Sequence, residues 1–330
     1  MGLALAALVL VATACGGVSE SGTAGAGNSE KLTLVAYSTP KEAYEALIPA
    51  FEKTPAGKGV SFDQSYGASG EQSRAVEAGL PADVVEFSLE PDMTRLVDAG
   101  IVGSDWNANE HKGMVTDSVV VFVVRKGNPE GIKTWDDLVK PGIEIITPNP
   151  FTSGGARWNL MAAYGAQIAD GKSEQEALDY LHQLLSQTPV QDKSAREALQ
   201  TFVGGKGDVM LAYENEAITA EREGEDVDYV VPDQTILIEN PVAVTKDAPP
   251  AAQAFVDFLL SEDGQKIFAE TGYRPVDENV LAGTSFPEPP ELFTIEKFGG
   301  WGTVKDKFFD PDEGLVARIE QELGVSTDSG

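Results

Sequence analysis

Two loops carry the residue types that could do chemistry. The first is Ser65-Tyr66-Gly67-Ala68-Ser69-Gly70-Glu71-Gln72, and the second runs Thr147-Pro148-Asn149-Pro150-Phe151-Thr152-Ser153-Gly154-Gly155-Ala156-Arg157-Trp158. Each ends a run of strand-forming residues, contains a Ser-Gly step and opens a helical pattern. Glycine lets backbone N–H groups approach a ligand with no Cβ in the way. The first turn of a helix leaves its N–H groups without intrahelical partners, and the helix dipole favours negative charge there. A serine hydroxyl adds one more donor. The chemistry indicated is the holding of an anion by neutral dipoles. A plainer role competes, because serine after a strand is also a common helix cap, and capping alone would account for either loop. Two such loops in separate units of the chain favour one shared anion site.

Enzymatic readings find little to work with. Gly67-Ala68-Ser69-Gly70-Glu71 comes close to the Gly-x-Ser-x-Gly turn of a serine hydrolase but has Glu71 where the second glycine belongs. The available bases are only His111 and His182, and His182 falls inside an amphipathic helical pattern. A serine hydrolase is therefore a distant alternative, and no catalytic residues are expected. One cysteine makes neither an internal disulfide nor a cysteine-based zinc site. Asp310-Pro311-Asp312-Glu313-Gly314 lacks the full spacing of a calcium loop and reads as a solvated turn. No metal and no cofactor is expected.

Stepping outward, 330 residues with 42% hydrophobic content suit two folded lobes. The net charge of −29 argues against nucleic acid and against a polybasic membrane surface. It does not exclude a small anionic ligand, since a local pocket can oppose the global field. Residues 3–14 form an uncharged apolar run too short to span a bilayer, as in an export signal. The run ends at Ala12-Thr13-Ala14-Cys15-Gly16, which resembles a bacterial lipobox, although no Lys or Arg precedes the run. Residues 1–14 are read as a lipoprotein signal peptide and 15–30 as a flexible tether.

Beyond the tether the pattern is α/β. Strand-like runs at Leu32–Tyr37, Val60–Ser65 and Ala82–Phe87 alternate with helical stretches. A strong strand at Val119–Arg125 starts a second set, which returns near Val242. The alternation predicts mostly parallel, doubly wound sheets in two lobes joined by two crossovers. Lobe one is expected over 30–117 plus 243–330, and lobe two over 118–242. Ligands of such sheets bind at the carboxyl ends of strands.

Several stretches resemble the periplasmic sulfate-binding proteins of sulfate/thiosulfate ABC importers. They include Val121 to Pro129, Thr147-Pro148-Asn149-Pro150, Ser153 to Asn159, Gly207 to Ala217, Tyr273-Arg274-Pro275 and Leu292 to Trp301. The resemblance runs from about Leu32 to Phe309 and implies a type II periplasmic-binding-protein fold. It also implies a monomeric, non-enzymatic receptor that captures sulfate outside the cytoplasm for a membrane permease. Thiosulfate, molybdate, phosphate and chromate are the alternative oxyanions. By the same resemblance, Ser38 and Ser69 serve the ligand from lobe one. Ser153, Gly154 and Gly155 serve it from lobe two, with Ala195 supplying a backbone N–H. Tyr213 stands where family members place a Trp that donates to the ligand, and Ser38 where they place an Asp. A core aromatic at a strand end is the other reading of Tyr213.

The N-terminal reading has a direct check. Cys15 is expected to carry lipid, with residues 1–14 removed. Mass spectrometry of protein from its native membrane should show an acylated Cys15 at the N-terminus, and an intact, unacylated N-terminus would refute it.

Overall fold

The computed structural model describes residues 30–328. The apolar run, Cys15 and all but the end of the tether lie outside the described residues. The chain begins with β1 (Glu30–Tyr37), α1 (Lys41–Glu52), β2 (Val60–Gly67), α2 (Ser69–Glu77), β3 (Val84–Glu86) and α3 (Glu90–Asp98). The long β4 (Met114–Arg125) crosses into lobe two. There follow α4 (Trp135–Leu138), β5 (Ile145–Ile146), α5 (Gly154–Ala169), α6 (Glu174–Ser186), α7 (Ala195–Val203), β6 (Val209–Tyr213), α8 (Glu214–Glu223) and β7 (Val227–Val230). Then β8 (Gln234–Val244) returns to lobe one, leading to α9 (Pro250–Leu259), α10 (Glu262–Glu270), β9 (Arg274–Pro275) and α11 (Glu278–Ala282). Last come β10 (Glu291–Phe293), a 3-10 turn at Ile295–Phe298, α12 (Gly300–Phe309) and α13 (Leu315–Glu322).

Period-two alternation explains why each lobe is a sheet with helices on both faces. In β1, Leu32, Leu34 and Ala36 join the core under α1 and α9, while Val35 joins the core under α2 and α3. In β4, Val120, Phe122 and Val124 face α5 and α6, while Val119, Val121 and Val123 face α7 and α8. All are essentially fully buried, and each large apolar side chain contributes about 1.5–3 kcal/mol by leaving water. The architecture is the expected two-lobed, doubly wound α/β fold.

The strand order is β2-β1-β3-β8-β4-β6-β5, with β7 and β9 also on β4 and β10 on β8. Parallel ladders join β1 to β2 and β3, β5 to β6, and β10 to β8. Every antiparallel ladder involves β4 or β8. The sheets are therefore mixed rather than mostly parallel, because the outgoing and returning crossovers necessarily run in opposite directions.

Those two crossovers are longer than the apolar runs that predicted them. Ser118 of β4 lies opposite Ile238 of β8, and Val242 lies opposite Glu86 of β3. The polar residues that interrupt the pattern are buried and paired. Thr116 donates to Asn240 Oδ1 at 3.3 Å, Ser118 donates to Asn215 Oδ1 at 3.3 Å, and Thr235 donates to the Val120 carbonyl at 2.7 Å.

Residues after Val242 pack in two hydrophobic cores. Phe255, Leu259, Phe268 and Tyr273 pack in lobe one. Phe293, Trp301, Val304, Phe308, Val316 and Ile319 pack against Trp158, Tyr164 and Leu181 in lobe two. The Trp158 and Trp301 rings meet edge to face at 4.6 Å. The apolar faces of α12 and α13 cover helices of lobe two that would otherwise face water.

One acid sits in the core of lobe one. Glu86 is fully buried, accepts a hydrogen bond from Tyr44, and leaves Oε1 without a partner. Burial raises its pKa to about 8, against the pull of the Tyr44 bond. An unfolded glutamate titrates near 4.3. Between those pH values the native state holds a proton that the unfolded chain has released, so stability falls as pH rises. Glu86→Gln should therefore match the native protein below about pH 4 and exceed it by more than about 1 kcal/mol at pH 8. Denaturant unfolding at several pH values measures this; parallel stability curves would show that Glu86 carries no such proton.

Candidate functional site

The site is built at strand ends that become helix starts. Ser38 follows β1 and precedes α1, Ser69 opens α2, and Ser88 lies between β3 and α3. Ser153 is the N-cap of α5, Ala195 opens α7, and Tyr213 ends β6 as the N-cap of α8. Local sequence makes these junctions: a β-rich run gives way to a small or hydroxylated residue that leaves the strand without crowding the first turn.

The two glycines of the second loop show how closely the parts meet. A Cβ on Gly155 would lie 3.5 Å from Ser153 Oγ, 3.5 Å from Tyr213 Cε1 and 3.6 Å from Ala195 Cβ. Four residues singled out in lobe two thus surround one point. A Cβ on Gly154 would fall 2.6 Å from Ser88 Oγ and 2.9 Å from Leu89 Cγ, so the first turn of α5 presses directly on lobe one. On the other side, a Cβ on Gly70 would lie 3.1 Å from the Thr152 carbonyl. The first turns of α2, α5 and α7 are gathered where the lobes meet, and their unpaired N–H groups favour an anion there. Ser38 is half-buried on the same edge. The ring of its neighbour Tyr37 lies tilted 6.4 Å from that of Tyr213, and its other neighbour Thr39 offers its carbonyl to Arg196 at 3.5 Å.

The serines divide by role. Ser173, Ser194 and Ser261 cap helices in the ordinary way, each accepting from a backbone N–H within the first turn. Ser153 occupies the same position on α5 but makes no capping hydrogen bond. Its hydroxyl is left for something else. Ser69 is the first residue of α2 rather than its cap. Its hydroxyl donates to Asp92 Oδ2 at 2.7 Å and accepts from Ser88 N–H at 3.0 Å. What Ser69 can offer a ligand is its backbone N–H.

The nearby cations are engaged elsewhere. Arg157 donates from Nε to the Pro150 carbonyl at 2.7 Å and lies over the Phe309 ring. Arg196 reaches across the lobe boundary to Glu42 of α1 at 2.5 and 2.8 Å, and to Glu216 of α8 at 3.0 Å. Burial lifts Glu216 to about 7, with Arg196 drawing it back. Arg274 of β9 pairs with Glu214, the residue after Tyr213, at 2.7 and 3.2 Å.

The hydrolase arrangement is not assembled. Ser69 pairs with Asp92, whereas His111 lies beside Glu110 at 3.7 Å and His182 beside Glu322 at 3.9 Å. Asp310 Oδ1 accepts from the Asp312 and Glu313 N–H groups, as in a turn. Among the described residues, no group of three or more His, Cys, Asp or Glu side chains is placed to hold a metal.

Sequence reasoning missed Ser88 and Asn240. Ser88 N–H, carbonyl and hydroxyl are all used: by Ser69 Oγ, by Trp158 Nε1 at 2.8 Å, and by the Tyr213 hydroxyl at 2.6 Å. A signal was present, since Phe87-Ser88-Leu89-Glu90-Pro91 repeats the strand-end, helix-start pattern with proline in the first turn. Asn240 gave none, lying in the middle of a crossover strand.

Residues 32–274 match the family model described as bacterial extracellular solute-binding protein. The chain is 42% identical to the sulfate-binding protein of Synechococcus elongatus over 96% of this chain and 94% of that one. It is 34% identical to the thiosulfate-binding protein of Pseudomonas aeruginosa over 92% of this chain and 94% of that one. The solved structure of the sulfate-binding protein SubI from Mycobacterium tuberculosis H37Rv superposes with a TM-score of 0.83 at 48% identity. That match covers 85% of this chain and all of SubI.

The Gly154 contact yields a structural test. Gly154→Ala places a methyl group within 2.6–2.9 Å of Ser88 Oγ, Ser88 Cβ and Leu89 Cγ, so the lobes can no longer meet there. The variant should melt close to the unmodified protein yet scatter X-rays as a more open particle. An unchanged radius of gyration would show that the contact yields without parting the lobes.

Proposed function

Because the chain belongs to the bacterial extracellular solute-binding proteins, and among them to the sulfate-binding proteins, we propose that it is the extracytoplasmic receptor that captures sulfate between its lobes for an ABC importer. The observation that carries this reading is the meeting of the first turns of α5 and α7 at Gly155, with the first turn of α2 packed against the Thr152 carbonyl and with Arg157 and Arg196 turned to other partners. A buried anion in this position is balanced by local dipoles rather than by a counter-charge. Hydrogen bonds to a charged group contribute about 1.5–3 kcal/mol each, so several offset the loss of hydration. Micromolar affinity needs only about 8 kcal/mol net.

The ligand residues in this reading are Ser38, Ser69, Ser153, Gly154, Gly155, Ala195 and Tyr213. Ser69 acts through its N–H, and Ser153 through its hydroxyl. Contacts from both lobes exist only when the lobes are together, so sulfate favours the closed state, with β4 and β8 bending near Ser118 and Val242. Lobe one then comprises residues 30–117 and 243 to about 282, and lobe two comprises 118–242 with the C-terminal elements. The receptor performs no chemistry on its ligand, acts as a monomer, and is held at the membrane face by lipid on Cys15.

Selectivity follows from proton count. Sulfate at neutral pH carries no proton, whereas phosphate carries at least one and needs an acceptor for it. A site made of donors leaves that O–H unpaired, at about 1–3 kcal/mol. Calorimetry should give a sulfate Kd in the micromolar range or tighter, with phosphate at least about tenfold weaker. Thiosulfate belongs in the same panel as the nearest rival. Ser153→Ala should weaken sulfate about tenfold or more by deleting one donor to a charged oxygen. Equal affinity for phosphate and sulfate would end the donor-only account.

A further inference from the structure

The Tyr213 hydroxyl, like the serine hydroxyls of the site, can either give or accept a hydrogen bond. Resting on the sulfate reading above, its surroundings decide which. Ser88 Oγ lies 2.6 Å from the phenol oxygen. Asn240 lies beside Ser88 on the same side. The amide is oriented for donation, because Asn240 Oδ1 accepts from Thr116 at 3.3 Å while Nδ2 points toward Ser88 and donates to its carbonyl at 3.4 Å. Ser88 is itself fixed by Ser69 Oγ on its N–H and Trp158 Nε1 on its carbonyl. Its hydroxyl sits tightly against Gly154, leaving little room for a ligand atom at Ser88 Oγ. Tyr213, Ser88, Asn240, Thr116, Ser69 and Trp158 are all buried. Burial drives the Tyr213 phenol far above its ordinary pKa, and the bond with Ser88 acts against that rise.

A phenol has one hydrogen and also accepts from incoming donors. We propose that Ser88 sets the selectivity of the site by occupying the accepting side of the Tyr213 hydroxyl, so that the phenol turns its hydrogen to the bound anion. The anion orients the chain, with Ser88 donating to Tyr213 and Tyr213 donating to the ligand, and each bond polarises the next. Ser88 is thus a positioning residue: it acts on the ligand through Tyr213. A tyrosine stands where a purely donating side chain would be the simpler choice, and Ser88 restores that character.

The test is a ratio of affinities. Sulfate and phosphate are titrated calorimetrically at pH 6 into the unmodified protein, Ser88→Ala, Tyr213→Trp and the double variant, with folding checked by thermal melting. Ser88→Ala frees one acceptor position on the phenol. It should hold sulfate within about tenfold of the unmodified protein while narrowing the sulfate-to-phosphate ratio by about tenfold or more. In the Tyr213→Trp background the same change should leave the ratio alone, because an indole N–H cannot accept. Ser88→Cys, similar in shape but a weaker donor, should narrow the ratio part-way, and it serves if Ser88→Ala loses sulfate binding. An unchanged ratio in folded Ser88→Ala or Ser88→Cys overturns the proposal, as does equal narrowing with Trp at 213. If the unmodified protein fails to bind sulfate, the sulfate reading falls and takes this proposal with it.

Discussion

Removing a doubly charged ion from water is among the most expensive things a protein can do. In the proposed reading a chain of net charge −29 does it with neutral donors, Arg157 and Arg196 being paired elsewhere. The constraint that follows organises the molecule. Neutral donors are individually weak, so they must arrive together, already oriented, and on rigid supports. Helix first turns satisfy all three conditions, and a doubly wound sheet delivers several of them to one edge. Gly154 serves the same end. Helix α5 comes within van der Waals reach of Ser88 and Leu89, and a side chain at Gly154 would hold the helix away from them.

The second requirement is that the two halves of the site agree on where they meet. Their boundary is more polar than either core. Ion pairs from Arg196 to Glu42 and from Arg274 to Glu214 cross it, as do the hydrogen bonds that join Trp158 and Tyr213 to Ser88. Buried ion pairs are weak sources of stability but exacting about geometry. Polar contacts can also separate and be rehydrated, which an apolar seam resists. The boundary therefore specifies one closed arrangement without fastening it permanently.

Legibility in the sequence followed burial chemistry. The regular elements were readable wherever alternation was apolar against polar, as in β1, or wherever a helix began at a strand end. The N-terminal half of β4 and most of β8 were not, because Thr116, Ser118, Thr235 and Asn240 read as surface and are buried. A buried polar residue is recognisable only once its partner is known, and each partner here is distant in sequence. The serine loops were legible as donors, yet only coordinates separate Ser153, whose hydroxyl is uncommitted to capping, from Ser194, which caps. Arg157 and Arg196 follow the proposed donors closely in sequence, yet Pro150, Glu42 and Glu216, all found only in three dimensions, hold them.

The split of the C-terminal segment changes how the chain must come together. Residues from Phe293 to Ile319, among them Trp301, Phe308 and Val316, complete a core whose remaining members lie between Tyr37 and Ile238. Lobe two therefore cannot close its hydrophobic interior until nearly the last residue is present, and its contacts span much of the chain, which slows folding. A protein that crosses a membrane from its N-terminus onward would emerge with lobe one nearly whole and lobe two still open on one face. The same segment, running from α11 to β10, passes between the lobes a third time. Two strands alone can twist about each other as well as bend. A third covalent strap restrains the twist, so the lobes are left to swing along one path and return to the same register each time.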